Sequence, residues 1–209
     1  MGHLVIGSPD VEPVTLEEAK EHLRIIDTIT TEIPPEEPEG DPTYETSHPD
    51  DDYIVNLITA AREWGETYQG QSWITRTNEY YIDQWPQSPL KLPRGPVQEI
   101  VSVTYTTSDG TEKTLDVETY RLDPAGRFCL AAGKAWPGDQ MSDGLGIKIT
   151  YNAGYGNDAS DVPKRYRQAM LLLIGHWYEH REEVVVGSSV NEMPAAAEML
   201  LTLDRWIPL

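Results

Sequence analysis

The sequence has a single cysteine, a single phenylalanine, few cations and no apolar run long enough to cross a bilayer. Each shortage excludes something. One cysteine cannot form an intrachain disulfide framework, and its isolation fits a reducing compartment of synthesis. That residue, Cys129, lies in the strand-like run Arg127-Phe128-Cys129-Leu130 with no His or Asn nearby in sequence, so it reads as a buried structural thiol and not a nucleophile. A bilayer span needs about 20 consecutive apolar residues, and a secretory leader needs a basic and then an apolar stretch. Neither pattern occurs. Sixteen Lys and Arg stand against 35 Asp and Glu, for a net charge of -19. That balance excludes a protein that grips nucleic acid through its phosphates. It does not exclude one that lets nucleic acid pass, because an acidic wall repels the phosphate backbone and prevents sticking.

What the chain does have is 39% hydrophobic residues over 209 positions, enough for a packed core. Residues 14–24 read as a short helix. Thr15 and Glu18 sit at capping-box spacing, and Leu16, Ala19, His22 and Leu23 follow at helical intervals. Residues 27–52 hold ten Asp or Glu, five Pro and no Lys or Arg, so they read as a long exposed acidic loop. Asp50-Asp51-Asp52 lacks the ligand spacing of a calcium loop. A second helix is expected from Asp51 to Tyr68, with Ile54, Leu57, Ile58, Ala61, Trp64, Gly65 and Tyr68 on one face and Asp50 or Asp51 as its N-cap.

From Trp73 to Tyr151 the pattern changes to strands. Val97, Val101, Val103 and Tyr105 alternate with polar residues, Ser108-Asp109-Gly110 marks a hairpin turn, and Leu115–Leu122, Phe128–Leu130 and Ile147–Tyr151 continue the pattern. A third helix is expected from Pro163 to Arg181, capped by Asp161, with Tyr166, Ala169, Met170, Leu173, Ile174 and Trp177 facing the core. Leu171 and Leu172 widen its apolar face, which suggests a subunit interface there, with Tyr178 beside them. The tail holds an extended stretch, a short helix at Pro194–Asp204 and an apolar end, Arg205-Trp206-Ile207-Pro208-Leu209. Large apolar side chains at a terminus want a partner surface. The expected fold class is α+β: a small helical bundle with an inserted antiparallel β-rich subdomain. The expected segments are 1–72 with acidic loop 27–50, the β-rich insertion 73–152, the main helix 153–183 and the tail 184–209.

Three patterns invite a chemical reading. His176-Trp177-Tyr178-Glu179-His180 satisfies H-x-x-E-H, the inverted zinc-peptidase signature, with both histidines one helical turn apart and Glu179 placed to polarise a water. A zinc hydrolase also needs an acidic ligand well downstream in a large domain, and only 29 residues follow His180. Histidines at a helix C-terminus also serve the helix dipole. Gly154-Tyr155-Gly156 lacks the Lys and Ser/Thr of a phosphate loop and reads as a turn between strand and helix. Six Trp and eleven Tyr leave a glycan-binding or host-surface module, using residues such as Trp85, as a further alternative.

Several strings, in order along the chain, resemble the head–tail connector proteins of tailed bacteriophages, also called adaptor or head-completion proteins and shared by gene transfer agents. They are Pro13–Arg24; Asp51-Asp52-Tyr53-Ile54 with Ala60-Ala61-Arg62-Glu63; Leu92-Pro93-Arg94-Gly95-Pro96-Val97 with Ile100; Trp136-Pro137; Ile149–Gly156 with Val162-Pro163; and His176–Glu179 with Arg181-Glu182. The acidic stretch at 27–52 is larger than the family pattern. The resemblance implies a structural protein of the virion or a phage-like particle, made in the host cytoplasm, with no catalytic site, metal or cofactor. It implies a ring of copies, twelve-fold, under a portal protein, with a tail-side connector or stopper protein below. DNA would pass through the lumen without specific binding, and no membrane is involved. Leu203, Trp206, Ile207 and Leu209 are the expected portal-docking residues, and Leu171, Leu172 and Tyr178 the expected subunit interface.

Overall fold

The computed structural model describes residues 2–33, 43–144, 146–181 and 194–203. The elements run β1 (Gly2–Val5), α1 (Leu16–Leu23), β2 (Ile29–Ile33), β3 (Thr43–Ser47), α2 (Asp51–Gln69), β4 (Arg76–Ile82), β5 (Leu90–Lys91), β6 (Val97–Thr106), β7 (Glu112–Thr114), β8 (Tyr120–Leu122), β9 (Arg127–Leu130), β10 (Ile147–Ala153), α3 (Lys164–Glu179) and α4 (Ala195–Thr202). The fold is α+β, with the β-rich part inserted between α2 and α3. Two compact units can be distinguished. Among the described residues, those up to Val11 and Glu66–Pro163 form the β unit, while Glu12–Gly65 and those from Lys164 onward form the helical unit.

The β unit is built around β10. Its alternate residues Ile147, Ile149, Tyr151 and Ala153 are all fully buried, which is the period-two pattern of a strand with one covered face. β10 lies between β4 and β6 in an antiparallel sheet of order β1-β4-β10-β6-β7. A second antiparallel sheet, β5-β9-β8, adds Phe128 and Tyr120 to the same core, with Ile82, Leu92, Val103 and Tyr105. The Asp109-Gly110 turn joins β6 to β7, with Gly110 at φ +83 and its N–H donating to the Thr107 carbonyl at 2.8 Å. Gly154 and Gly156 are required by close approach: a Cβ on the first would meet the Thr75 backbone, and one on the second the Asp161 carboxylate. They form no phosphate cradle.

Within the β unit, the last turn of α2, from Glu66, is held by buried polar groups. Glu66, 2% exposed, accepts from the Trp73 N–H at 2.7 Å and pairs with Arg76, while the Trp73 indole N–H donates to Gln69 at 2.7 Å. The string at 92–97 closes nearby. The Tyr151 hydroxyl donates to the Pro93 carbonyl at 2.7 Å, and the Arg94 carbonyl accepts from Ser72 N–H at 3.1 Å. Burial pushes the Tyr151 phenol well above its ordinary value.

The helical unit packs Val14, Ala19, Ile54, Ile58, Ala61, Ala169, Met170, Leu173, Ile174, Ala197 and Leu201 out of water. α1 carries the expected capping box, with Glu18 N–H donating to Thr15 Oγ1 at 3.2 Å and Thr15 N–H donating to Glu18 Oε2 at 3.1 Å. Arg24 ends it in the left-handed region at φ 57.

Four features differ from the sequence expectation. The acidic stretch is not loop throughout: β2 and β3 pair antiparallel from Ile29↔Ser47 to Ile33↔Thr43. Residues 34–42, where four acids and four prolines concentrate, lie outside the described residues. β1 was not expected, yet it forms one edge of the large sheet against β4. The run Leu115–Leu122 is broken by a 3₁₀ turn at Val117–Thr119, capped by Asp116, which accepts from Glu118 N–H at 2.9 Å. Asp161 does not cap α3; its carboxylate accepts from Asp158 N–H at 3.1 Å within a separate 3₁₀ turn.

Candidate assembly surfaces

The end of α3 meets the start of α2 through a charged clasp that the sequence patterns did not reveal. Arg181 donates to both carboxylate oxygens of Asp50, at 2.6 and 3.4 Å. Its guanidinium also lies over two rings, 4.5 Å from the Tyr53 centroid and 4.4 Å from that of Tyr178. The Tyr178 hydroxyl donates to Asp50 at 2.6 Å. Arg181, then Tyr178, hold the Asp50 carboxyl below its ordinary value, and Asp50 in turn pushes both partners up. Asp50 stands at the N-cap position of α2, as expected, but its carboxylate serves this clasp.

The next residue does a similar job for α1. Asp51 accepts from the His48 N–H at 2.9 Å and pairs with Lys20 at 2.9 Å. Lys20 also pairs with Asp27, which is the main reason its ammonium is raised. Two more ties join distant segments. Glu12 receives Arg62, which is 1% exposed, at 2.8 Å and the Thr59 hydroxyl at 3.1 Å. Arg167 donates to the Pro13 carbonyl at 2.8 Å and pairs with Glu18.

These ties locate several of the expected assembly residues. Tyr178, expected at a subunit interface, is half-buried and occupied by Asp50, Arg181 and the Tyr53 ring, whose centroid is 6.1 Å away. Leu171 and Leu172 are half-buried on α3. Leu203, expected to dock the portal, is 72% exposed just after α4. Met199, one helical turn earlier, is 76% exposed, so the two apolar side chains stand at i, i+4 spacing along α4. Trp206, Ile207 and Leu209 lie outside the described residues.

The sites proposed for other chemistry are occupied by ordinary packing. The His176 and His180 rings are 4.7 Å apart, and His180 Nδ1 sits 2.9 Å from the His176 carbonyl oxygen, so that nitrogen donates to the helix end. Among the described residues no cluster of three or more His, Cys, Asp or Glu is arranged to hold a metal. Trp85 stacks on Trp136 at 4.9 Å with its plane 7° away, so one face of the ring named in the alternative glycan-binding reading is already covered. Cys129 is buried, as expected, and donates weakly to the Arg121 carbonyl. No described helix is long and apolar enough to cross a membrane.

The comparisons with known proteins agree with one another on architecture. A chain in the neck of an empty gene transfer agent (GTA) particle, computed with C6 symmetry, superposes with a TM-score of 0.74 at 20% identity, covering 100% of this chain and 97% of that one. A chain in the virion of a native gene transfer agent gives 0.72 at 21% identity, with the same coverage. A third, in the neck of a native GTA particle computed with C12 symmetry, gives 0.71 at 20% identity, again covering 100% and 97%. At these identities the likeness concerns fold. No curated protein matches the sequence closely enough to count as a relative. The head completion protein family matches residues 43–199, three-quarters of the chain, and this protein belongs to that family.

Proposed function

We propose that this protein is the connector subunit of a head–tail junction: copies form a closed ring beneath a portal protein, extend the DNA channel and offer a platform to a tail-side protein. The observation that carries the reading is the family match over residues 43–199, which spans the β unit apart from residues 1–11 and more than half of the helical unit. The shared fold with neck chains of GTA particles supports the same location, and the C6 and C12 symmetries of those particles support a ring of six or twelve. Physical features of this chain agree. A head-to-tail contact that closes into a ring needs two different sticky patches per subunit. The α4 face with Met199 and Leu203 is one apolar candidate, and the α3 flank with Leu171 and Leu172 is another. The acidic surplus suits a lumen along which DNA slides without sticking. The role is structural and not enzymatic.

The test is mass measurement of the protein alone and with its portal, for the intact chain and for a chain ending at Asp204. The intact chain is expected to bind the portal and assemble on it. The truncated chain, lacking Trp206, Ile207 and Leu209, is expected to remain folded and fail to bind. Undiminished binding by the truncated chain overturns the docking role of the terminus, and failure of the intact chain to assemble with a portal overturns the connector reading.

A further inference from the structure

The β unit carries a cationic groove in a protein with a net charge of -19. The groove has a volume of about 740 Å³ and is walled by Pro86, Pro89, Arg121, Arg127, Leu130 and Trp136. Its floor is rigid. Trp136 stacks with Trp85 and with Phe128, at 4.9 and 5.6 Å, and its indole N–H donates to the Pro86 carbonyl at 3.0 Å. Strand register explains the cations. Arg121 on β8 stands opposite Cys129 on β9, and Arg127 is two residues before Cys129, so both arginines leave the same face of the small sheet.

The one acid on this wall is already committed. Asp123 accepts from the Ala125 and Arg127 N–H groups, each at 2.9 Å, and from Arg127 Nε at 2.7 Å. That grip aims Arg127 and leaves part of its five-donor fork unused. Arg121 is exposed and has no ion pair or side-chain hydrogen bond among the described residues. A rigid aromatic and proline-lined slot with two arginines at its rim has the chemistry to hold an acidic, proline-containing peptide.

The chain contains one such segment. Residues 34–42, which follow β2 and precede β3 in the sequence, read Pro-Pro-Glu-Glu-Pro-Glu-Gly-Asp-Pro, four carboxylates among four prolines. Prolines limit the freedom lost on docking. The segment also belongs to the more acidic part of the chain, where 12–65 and 164–209 hold 21 Asp and Glu against eight Lys and Arg. We infer that the 34–42 segment of one copy docks into the Arg121–Arg127–Trp136 groove of a second copy, so that the acidic insertion acts as a strap between neighbouring subunits. The second copy rests on the ring reading above, whereas the groove chemistry stands alone.

The experiment titrates a fluorescein-labelled peptide of residues 33–43 into full-length protein in which Glu36, Glu37, Glu39 and Asp41 are replaced by Ser, read by anisotropy at concentrations where light scattering finds monomer. Saturable binding is expected, weakening with added salt. Arg121→Glu is expected to weaken it at least tenfold, and a peptide with its four acids replaced by Ser is expected not to bind. Binding indifferent to Arg121→Glu, or equal binding of the neutral peptide, overturns the groove assignment. Repeating the titration on the unsubstituted chain fixes the source of the strap. Binding as tight as before means that a lone chain leaves its groove open for a second copy. Exclusion of the peptide means that each chain fills its own groove, and the strap between copies is wrong. None of these results bears on whether the portal binds, so a failure here is separable from a failure of the connector reading.

Discussion

Each of the two units is held together internally by different means. In the β unit, antiparallel ladders and a continuous apolar cluster from Ile82 to Ala153 do most of the work, beside the buried Glu66–Arg76 pair, the local Asp123–Arg127 bond and a loose Glu79–Lys148 contact at 3.9 Å. In the helical unit, charged side chains join segments that are far apart in sequence: Glu12 to Arg62 across 50 residues, Asp50 to Arg181 across 131, Glu18 to Arg167 across 149. The charge follows the same division. Residues 1–11, 66–163 and 205–209 hold 14 Asp and Glu against nine Lys and Arg, whereas 12–65 and 164–204 hold 21 against seven. Four cations of the helical unit, Lys20, Arg62, Arg167 and Arg181, are engaged in internal ties, and its carboxylates far outnumber its cations. A unit built in this way should respond to pH and salt, and the β unit should respond mainly to lost volume.

The sharpest break of the contrast is in the β core. Phe128, the only phenylalanine, is fully buried with the Tyr120 and Trp136 rings 5.5 and 5.6 Å away. Phe128→Ala removes a large apolar side chain and leaves a cavity, for an expected loss of about 3–5 kcal/mol. Denaturant unfolding should show that loss undiminished between low and high salt. A loss that depended on salt would mean that the β unit also leans on charge.

Arg62→Met probes the other unit. The arginine is 1% exposed and answers Glu12, whose side chain remains 28% exposed. Breaking a buried pair by removing one partner costs about 3–5 kcal/mol when the remaining charge is trapped. Here Glu12 can reach water and methionine keeps most of the volume, so about 2 kcal/mol is expected from the same denaturant measurement. A neutral or stabilising result would show that apolar packing, and not the ion pair, secures α2 in the helical unit.

Much of this was legible in the sequence, for reasons that differ by element. α1, α2 and α3 were visible because each carries a long 3.6-residue pattern or a capping box. The β10 strand was visible because Ile147, Ile149, Tyr151 and Ala153 alternate. The β2–β3 hairpin was hidden by averaging. Its strands Ile-Thr-Thr-Glu-Ile and Thr-Tyr-Glu-Thr-Ser are rich in β-branched residues, but the acids and prolines between them dominated the window. β1 was too short and too close to the terminus to display a period. The charged ties were illegible for a more basic reason: no local pattern relates Asp50 to Arg181, and only the folded chain brings them together. The string His176–His180 suggested zinc chemistry because its spacing matched, while the residue with the most to do there, Arg181, lay just outside the motif.

The smallest expected effect tests that clasp directly. The Asp50 carboxyl is held below its ordinary value by Arg181 and Tyr178, so folding favours its ionised form. A carboxyl depressed in the folded state contributes stability that is present above the unfolded value, near pH 3.9, and is lost as pH falls through the lower folded value. Asp51, depressed by the His48 amide and Lys20, adds to the same window. Asp50→Asn removes one titrating group and keeps the shape. Its expected signature is a flatter fall of thermal stability below about pH 4, together with a melting temperature at neutral pH only slightly below that of the parent, since exposed ion pairs contribute little at moderate salt. An acid limb as steep as the parent's would assign the pH response of the helical unit to Glu18 and Asp51, and would leave the Arg181 guanidinium held mainly by the faces of Tyr53 and Tyr178.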